Sequence, residues 1–113
     1  MDEIEQNTRE EESIKDLDSI DSLVHEPARL GMLVLLLPRP KGLAFNTVQD
    51  ILGLSPGNLS SHAQKLHQAK YIIIIKLFVN FKPKTFFKIT PEGIKALKKY
   101  ANNLESILFS ILN

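Results

Sequence analysis

The 113-residue chain has no cysteine. Disulfide frameworks, cysteine-built zinc fingers, thiolate nucleophiles and thiol redox chemistry are therefore excluded, and a reducing compartment is compatible with the composition. Long hydrophobic runs are also missing. Leu30 to Leu37 is the longest on the N-terminal side, far short of the ~20 residues a membrane span needs. It begins after an acidic stretch, too late for a signal peptide. The expectation is a soluble, cytoplasmic protein with no membrane partner. Catalytic signatures are absent as well: no glycine-rich phosphate loop, no HExxH, no GxSxG. The carboxylates sit mostly near the N-terminus, where nothing would bury or tune them. The sequence is expected not to be an enzyme, and it calls for no cofactor and no metal.

What is present is a hidden charge asymmetry. Residues 1–22 carry nine acids against Arg9 and Lys15, a net of −7, while the remainder carries twelve bases against Glu26, Asp50, Glu92 and Glu105, a net of +8. A basic body attracts polyanions, although the overall net charge of +1 conceals it. The acidic residues 1–13 read as a flexible tail and 14–113 as one domain. A domain this small gains from dimerising, because its own core is modest.

Along the chain, Ile14, Leu17, Ile20 and Val24 make a short helical pattern. Pro27 opens a helix through Leu37 that is apolar almost all round, as a buried central helix would be. Pro38 and Pro40 end it, and Lys41-Gly42 make a turn. Asn46 is placed to cap a second helix, Thr47–Leu52, with Val48, Ile51 and Leu52 inward and Gly53 as its stop. Ser55-Pro56 reads as cap and first residue of a third helix running to Ala69. Its apolar stripe is Leu59, Ala63 and Leu66. Tyr71–Val79 reads as a strand, residues 80–84 as a turn around Pro83, and Thr85–Ile89 as the returning strand. Thr90-Pro91 repeats the cap signature and opens the last helix. The fold class is thus mainly α with a small β-hairpin, an α+β winged helix-turn-helix ending in a long dimerisation helix.

Four segments carry a family resemblance: His25-Glu26-Pro27-Ala28-Arg29-Leu30, Leu54 through His62, Lys82-Pro83-Lys84-Thr85, and Ile89-Thr90-Pro91-Glu92-Gly93. In this order and spacing they resemble a winged-helix regulator family of bacteria and archaea, related to the MarR and ArsR types, over roughly residues 23–100. The resemblance implies a dimeric DNA-binding transcription regulator, a repressor more than an activator. It places the third helix in the major groove and makes the hairpin the wing.

The residues themselves allow that chemistry. A reading helix needs short polar side chains on one face and an apolar rear face, because the major groove presents a distinct donor and acceptor pattern for each base pair. Asn58, Ser60, Ser61 and Gln64 are the candidates for base contact, and Lys65 for phosphate. The helix N-terminus at Ser55 and Gly57 favours another phosphate. By the family motif His62 contacts the DNA backbone; it could equally pack against the next helix. His62 and His67, five apart, are poorly spaced for a metal, and His25 reads as a local structural hydrogen-bonder. On the wing, Lys82 and Lys84 around Pro83, with Thr85, would grip the backbone. Phe81 and Lys84 stand where the family often has arginine, so minor-groove reading is weaker. Arg29 could meet a phosphate or form a local salt bridge.

In the last helix Ile94, Leu97, Ala101, Leu104, Leu108 and Ile111 alternate spacings of three and four, which suits a partner helix in a homodimer. The first hairpin strand departs from the family pattern. If Ile72, Ile74 and Phe78 face the core, then Ile73, Ile75 and Leu77 face outward with Phe86, a patch that asks for a cover. The leading expectation is sequence-specific double-stranded DNA binding as a homodimer. The alternative is a protein–protein interaction module on a winged-helix scaffold. RNA binding is disfavoured for want of an evident stacking platform. The sequence assigns no small-molecule effector and no operator.

Overall fold

Pro27, Pro56 and Pro91 each start a helix, and each follows a residue whose side chain accepts a hydrogen bond from the first turn. Glu26 Oε2 accepts from the Arg29 N–H at 2.8 Å, Ser55 Oγ from Asn58 at 3.2 Å, and Thr90 Oγ1 from Gly93 at 3.0 Å. A proline there has no N–H to leave unpaired, and the capping oxygen satisfies one of the remaining donors. The computed structural model describes residues 11, 17 and 19–113. The acidic segment 1–13, apart from Glu11, and Ile14 of the first helical pattern lie outside the described residues.

Helix α1 spans Pro27–Leu36, α2 Phe45–Leu52, α3 Pro56–Gln68 and α4 Pro91–Leu112. Three strands, β1 Leu43–Ala44, β2 Ile72–Val79 and β3 Lys82–Ile89, form an antiparallel sheet in the order β1-β3-β2. The sequence of elements is that of a winged helix. Leu52 to Pro56 is the tight helix-turn-helix connection, and Gly53 makes it possible. Its φ of 66° lies in the left-handed region, and its N–H returns to the Gln49 carbonyl.

The end of α3 fixes how the hairpin leaves the helix. Lys70 takes φ 66°, its N–H reaches the His67 carbonyl at 2.9 Å, and the Tyr71 N–H reaches Leu66 at 2.9 Å. That pair of bonds is a Schellman closure with lysine in place of the usual glycine. The core lies where α1, α3 and the sheet meet. Met32, Leu33, Leu36, Val48, Leu59, Leu66, Ile72 and Phe87 are fully or almost fully buried. Burial of each such side chain contributes roughly 1.5–3 kcal/mol. Val24 closes one end of this core.

Several expectations need correction. Asn46 does not cap α2: the helix starts at Phe45, after Ala44, with no side-chain cap bond. Ile51 is not inward; it is 57% exposed, because Val48 and Leu52 already supply the inner face of so short a helix. Pro83 is not in a turn. The hairpin closes with two residues, Asn80 and Phe81, and Pro83 pairs with Phe78 inside β3. A proline is tolerated there because β1 pairs only with Phe86 and Phe87, leaving the outer edge of β3 open near the tip. Phe78 does not reach the core, since the hairpin has run past the body by then. Strand β1 was not anticipated: two residues carry no readable alternation. Nor is α1 buried all round, for Val34 and Leu37 are exposed.

Candidate nucleic-acid interface

Between Asp50 and Glu92 the sequence contains no acid and six lysines. That span is α3 and the hairpin, so the basic character of the body is concentrated on these elements. Leu59, Ala63 and Leu66 anchor α3 in the core. The opposite side, with Asn58, Ser60, Ser61, Gln64, Lys65 and Gln68, is exposed throughout. Ser55 and Gly57 are exposed at its N-terminus. The Ser55 hydroxyl is committed to the cap, leaving the free N–H groups of the first turn for an anion. A Cβ on Gly57 would meet nothing within 4 Å, so packing does not require glycine there.

The sheet brings the wing to this helix. Cross-strand partners share a face, so Lys76 and Thr85 lie on the side of the hairpin that also carries Ile74 and Phe87. Ser60, Gln64, Lys76 and Thr85 together line a cleft of about 130 Å³ between α3 and the wing. Thr85 is half-buried at its wall, while Lys82 and Lys84 are exposed nearer the tip on the opposite face. They line a second concavity, about 440 Å³, along the open edge of β3 with Asn46 and Thr47 at the start of α2. Lys76, Asn46 and Thr47 escaped sequence reasoning. Lys76 could have been found from its period-two position relative to Ile74 and Phe78, had the hairpin register been known.

His62 is the member of α3 that the structure draws inward. Arg29 Nη1 donates to His62 Nδ1 at 3.0 Å, and Glu26 Oε2 lies 3.6 Å from the same nitrogen. The Arg29 Nε donates to the Leu23 carbonyl at 2.6 Å, and its guanidinium approaches Glu26 at 3.9 Å. Arg29 therefore makes a local network. Desolvation pushes the Glu26 carboxyl up, but hydrogen bonds from the N–H groups of Arg29 and Ala28, and then the nearby Arg29 guanidinium, outweigh it and leave its pKa below the ordinary value. His25 is structural but not local: its Nδ1 lies 2.8 Å from the Tyr100 hydroxyl on α4.

The C-terminal helix divides in two. Leu97 and Tyr100 are buried in the body and Leu104 packs against it. From Glu105 on, only Ile107 is even half-covered. An open groove of about 620 Å³ runs between this part and α1, lined by Leu30, Val34, Leu37, Leu104, Leu108 and Leu112 among others. Leu97, Ala101, Leu104 and Leu108 of the expected seam face it; Ile94 and Ile111 do not line it, whereas Phe109 and Leu112 do. Among the described residues no helix is long and apolar enough to cross a membrane.

This arrangement has relatives. A family model described as a winged helix DNA-binding domain matches residues 28–108. An uncharacterised protein of Methanocaldococcus jannaschii is 36% identical over 56 residues, half of this chain. That match spans 61% of the curated relative's length. A transcriptional regulator homologue from Pyrococcus horikoshii superposes with a TM-score of 0.79 at 29% identity, covering 86% of this chain and 97% of that one. The PcaV transcriptional regulator from Streptomyces coelicolor, solved with its natural ligand, superposes at 0.68 with 14% identity, over 96% of this chain and 75% of that one. A mutant MepR from S. aureus bound to an oligodeoxyribonucleotide superposes at 0.60 with 17% identity, over 96% and 74%. At such identities the last two similarities concern the fold.

Proposed function

Because the chain belongs to the winged-helix DNA-binding domain family, we propose that it binds specific duplex DNA sequences as a homodimer and represses transcription where it sits. One observation carries the reading. The exposed polar face of α3 shares a cleft with Lys76 and Thr85 of the wing, on a stretch of chain without a single acid. Asn58, Ser60, Ser61 and Gln64 offer the donors and acceptors that base edges in the major groove require. Lys65, Lys76, Lys82 and Lys84 supply phosphate contacts on either side. Ser55 and Gly57 present the α3 N-terminus to a further phosphate, and His62 holds α3 against Arg29 instead of reaching out as a free contact.

The second copy is called for by the apolar groove between α1 and the end of α4. A monomer would leave Leu108, Phe109 and Leu112 in water. Two copies joined there would present two α3 helices to half-sites about one helical turn apart, roughly 34–36 Å. Occupying such a site excludes other proteins from it, which is repression in its simplest form.

Selection from a randomised duplex library tests the reading. Enrichment of a two-fold-symmetric sequence is expected, with affinity falling steeply in salt, about 0.9 in log K per log salt for each phosphate contacted. Joint replacement Lys82→Glu and Lys84→Glu should weaken binding to all duplexes alike. Failure to enrich any sequence, or binding indifferent to salt, refutes the proposal.

A further inference from the structure

The tip of the wing is built against the usual chemistry of its turn. A two-residue hairpin turn with both φ positive normally takes asparagine followed by glycine. Here Asn80 has φ 52° and Phe81 φ 64°. An aromatic residue in the left-handed region carries a backbone cost that glycine there would not. What it places at the tip is a phenyl ring that is fully exposed, with Phe78 80% exposed close behind. Neither ring contributes to the core, whereas Phe45 and Phe87 meet inside with centroids 5.7 Å apart. Two aromatic rings in water, one of them on a strained backbone, are unexplained by folding.

The surroundings define the partner. Residues 76–84 contain Lys76, Lys82 and Lys84 and no acid. The tip therefore suits a polyanion that also has an apolar surface to receive a ring. The stacked bases of duplex DNA have both properties. Phe78 lies on the same strand face as Lys76, which lines the cleft with Ser60 and Gln64 of α3. A duplex seated on α3 therefore meets this face first. Four residue steps along the chain take Thr85 to Phe81, about 13 Å at ~3.3 Å each. That reach is comparable with the ~12 Å width of a major groove, so a wing anchored beside α3 arrives at the flanking minor groove.

We propose that Phe81, backed by Phe78, is an apolar wedge that enters the minor groove beside each half-site and partly unstacks one base step. Lys76 on one face of the hairpin, and Lys82 and Lys84 on the other, hold the phosphates to either side. The cost of unstacking depends on the step, pyrimidine–purine steps being the easiest to open. The wedge thus reads sequence at positions that α3 never touches, and it bends the duplex toward the major groove. This rests on the reading that the chain binds duplex DNA.

The test uses the full chain and a duplex it has enriched from a random library, with 2-aminopurine placed in turn at each flanking position. Fluorescence at one flanking step should rise severalfold on binding. Phe81→Gly should abolish that rise and weaken binding by ~10-fold or more, the scale of one lost base–aromatic contact. Glycine suits φ 64°, so this variant melts no lower than the parent and its loss of binding is not a loss of fold. Phe81→Trp should keep the signal. If a duplex is enriched but Phe81→Gly binds it equally well and no position brightens, the wedge is refuted while duplex recognition stands. If no duplex is enriched, both fail together. Vesicles containing anionic lipid form a parallel arm: capture that depends on Phe81, with duplex binding unaffected by its loss, assigns the tip to a membrane surface and overturns the proposal.

Discussion

Tyr71 donates its hydroxyl hydrogen to Asp21 Oδ2 at 2.7 Å, tying the start of β2 to the segment that precedes α1. The other oxygen of Asp21 accepts from the N–H groups of Leu23 and Val24, so the carboxylate organises both partners. The hydrogen bond to Asp21, with burial and the charge of that carboxylate, pushes the Tyr71 pKa up to about 12. Unfolded tyrosine titrates near 10. The folded value is the higher one, so this stabilisation is complete below pH 10 and disappears as pH rises toward 12. Denaturation midpoints measured from pH 9 to 12.5 should fall more steeply for the parent than for Tyr71→Phe, and parallel curves would disprove the linkage. Asp21 and Tyr71 are fifty positions apart, and neither residue type nor spacing reveals the pair. The same holds for Arg29, whose choice between phosphate and local partner depended on where His62 lay. Ile51 and Phe78 misled for a related reason: a period fitted to one element says nothing about how far the core extends beneath it.

Helix α3 was legible almost to the residue, because its limits are written in local chemistry. Ser55-Pro56 begins it, and Leu59, Ala63 and Leu66 recur on one face. Its polar face is accordingly exposed. Within it, Gly57 sits in the first turn with open space around its α-carbon. Gly57→Ala should therefore raise stability by up to ~1 kcal/mol, since alanine is the better helix former. If that turn meets a phosphate closely, the same methyl group should reduce duplex affinity, by about tenfold for ~1.4 kcal/mol of lost contact. Opposite signs in thermal melting and duplex titration are the expected outcome. Tighter binding by the variant would remove Gly57 from the interface. The hairpin was less legible. Pro83 resembled turn punctuation, yet it sits in β3 where that strand has no outer neighbour, and the true turn contains neither proline nor glycine. Strand β1 exists only because residues 43 and 44 happen to lie alongside Phe87 and Phe86.

For the molecule as a whole, α4 does two jobs in succession. Its first turns are part of the domain through Gly93, Leu97 and Tyr100. Gly93 is required there because a side chain would collide with the Tyr71 carbonyl. Its last turns carry leucine and phenylalanine into solvent beside the exposed side of α1. Joint replacement Leu108→Asp and Leu112→Asp should thus leave the monomer folded, because neither residue belongs to the core. It should convert a dimer into a monomer in analytical ultracentrifugation and cost affinity for a two-fold-symmetric duplex far more than for a single half-site. A dimer that survives both changes would show that the groove is not the contact. The heptad-like spacing singled out α4, but only packing separated Leu97, which the domain buries itself, from Phe109 and Leu112, which it leaves exposed.

The starts of α1, α3 and α4, the polar face of α3 and the segregation of charge were determined by sequence alone, since caps, proline positions and side-chain periodicity act over a few neighbouring residues. The tertiary structure decided which of two plausible partners each polar side chain took, where the hairpin turned and which apolar residues remained uncovered. Those outcomes depend on contacts between residues far apart in the chain, and such contacts exist only once the core has closed.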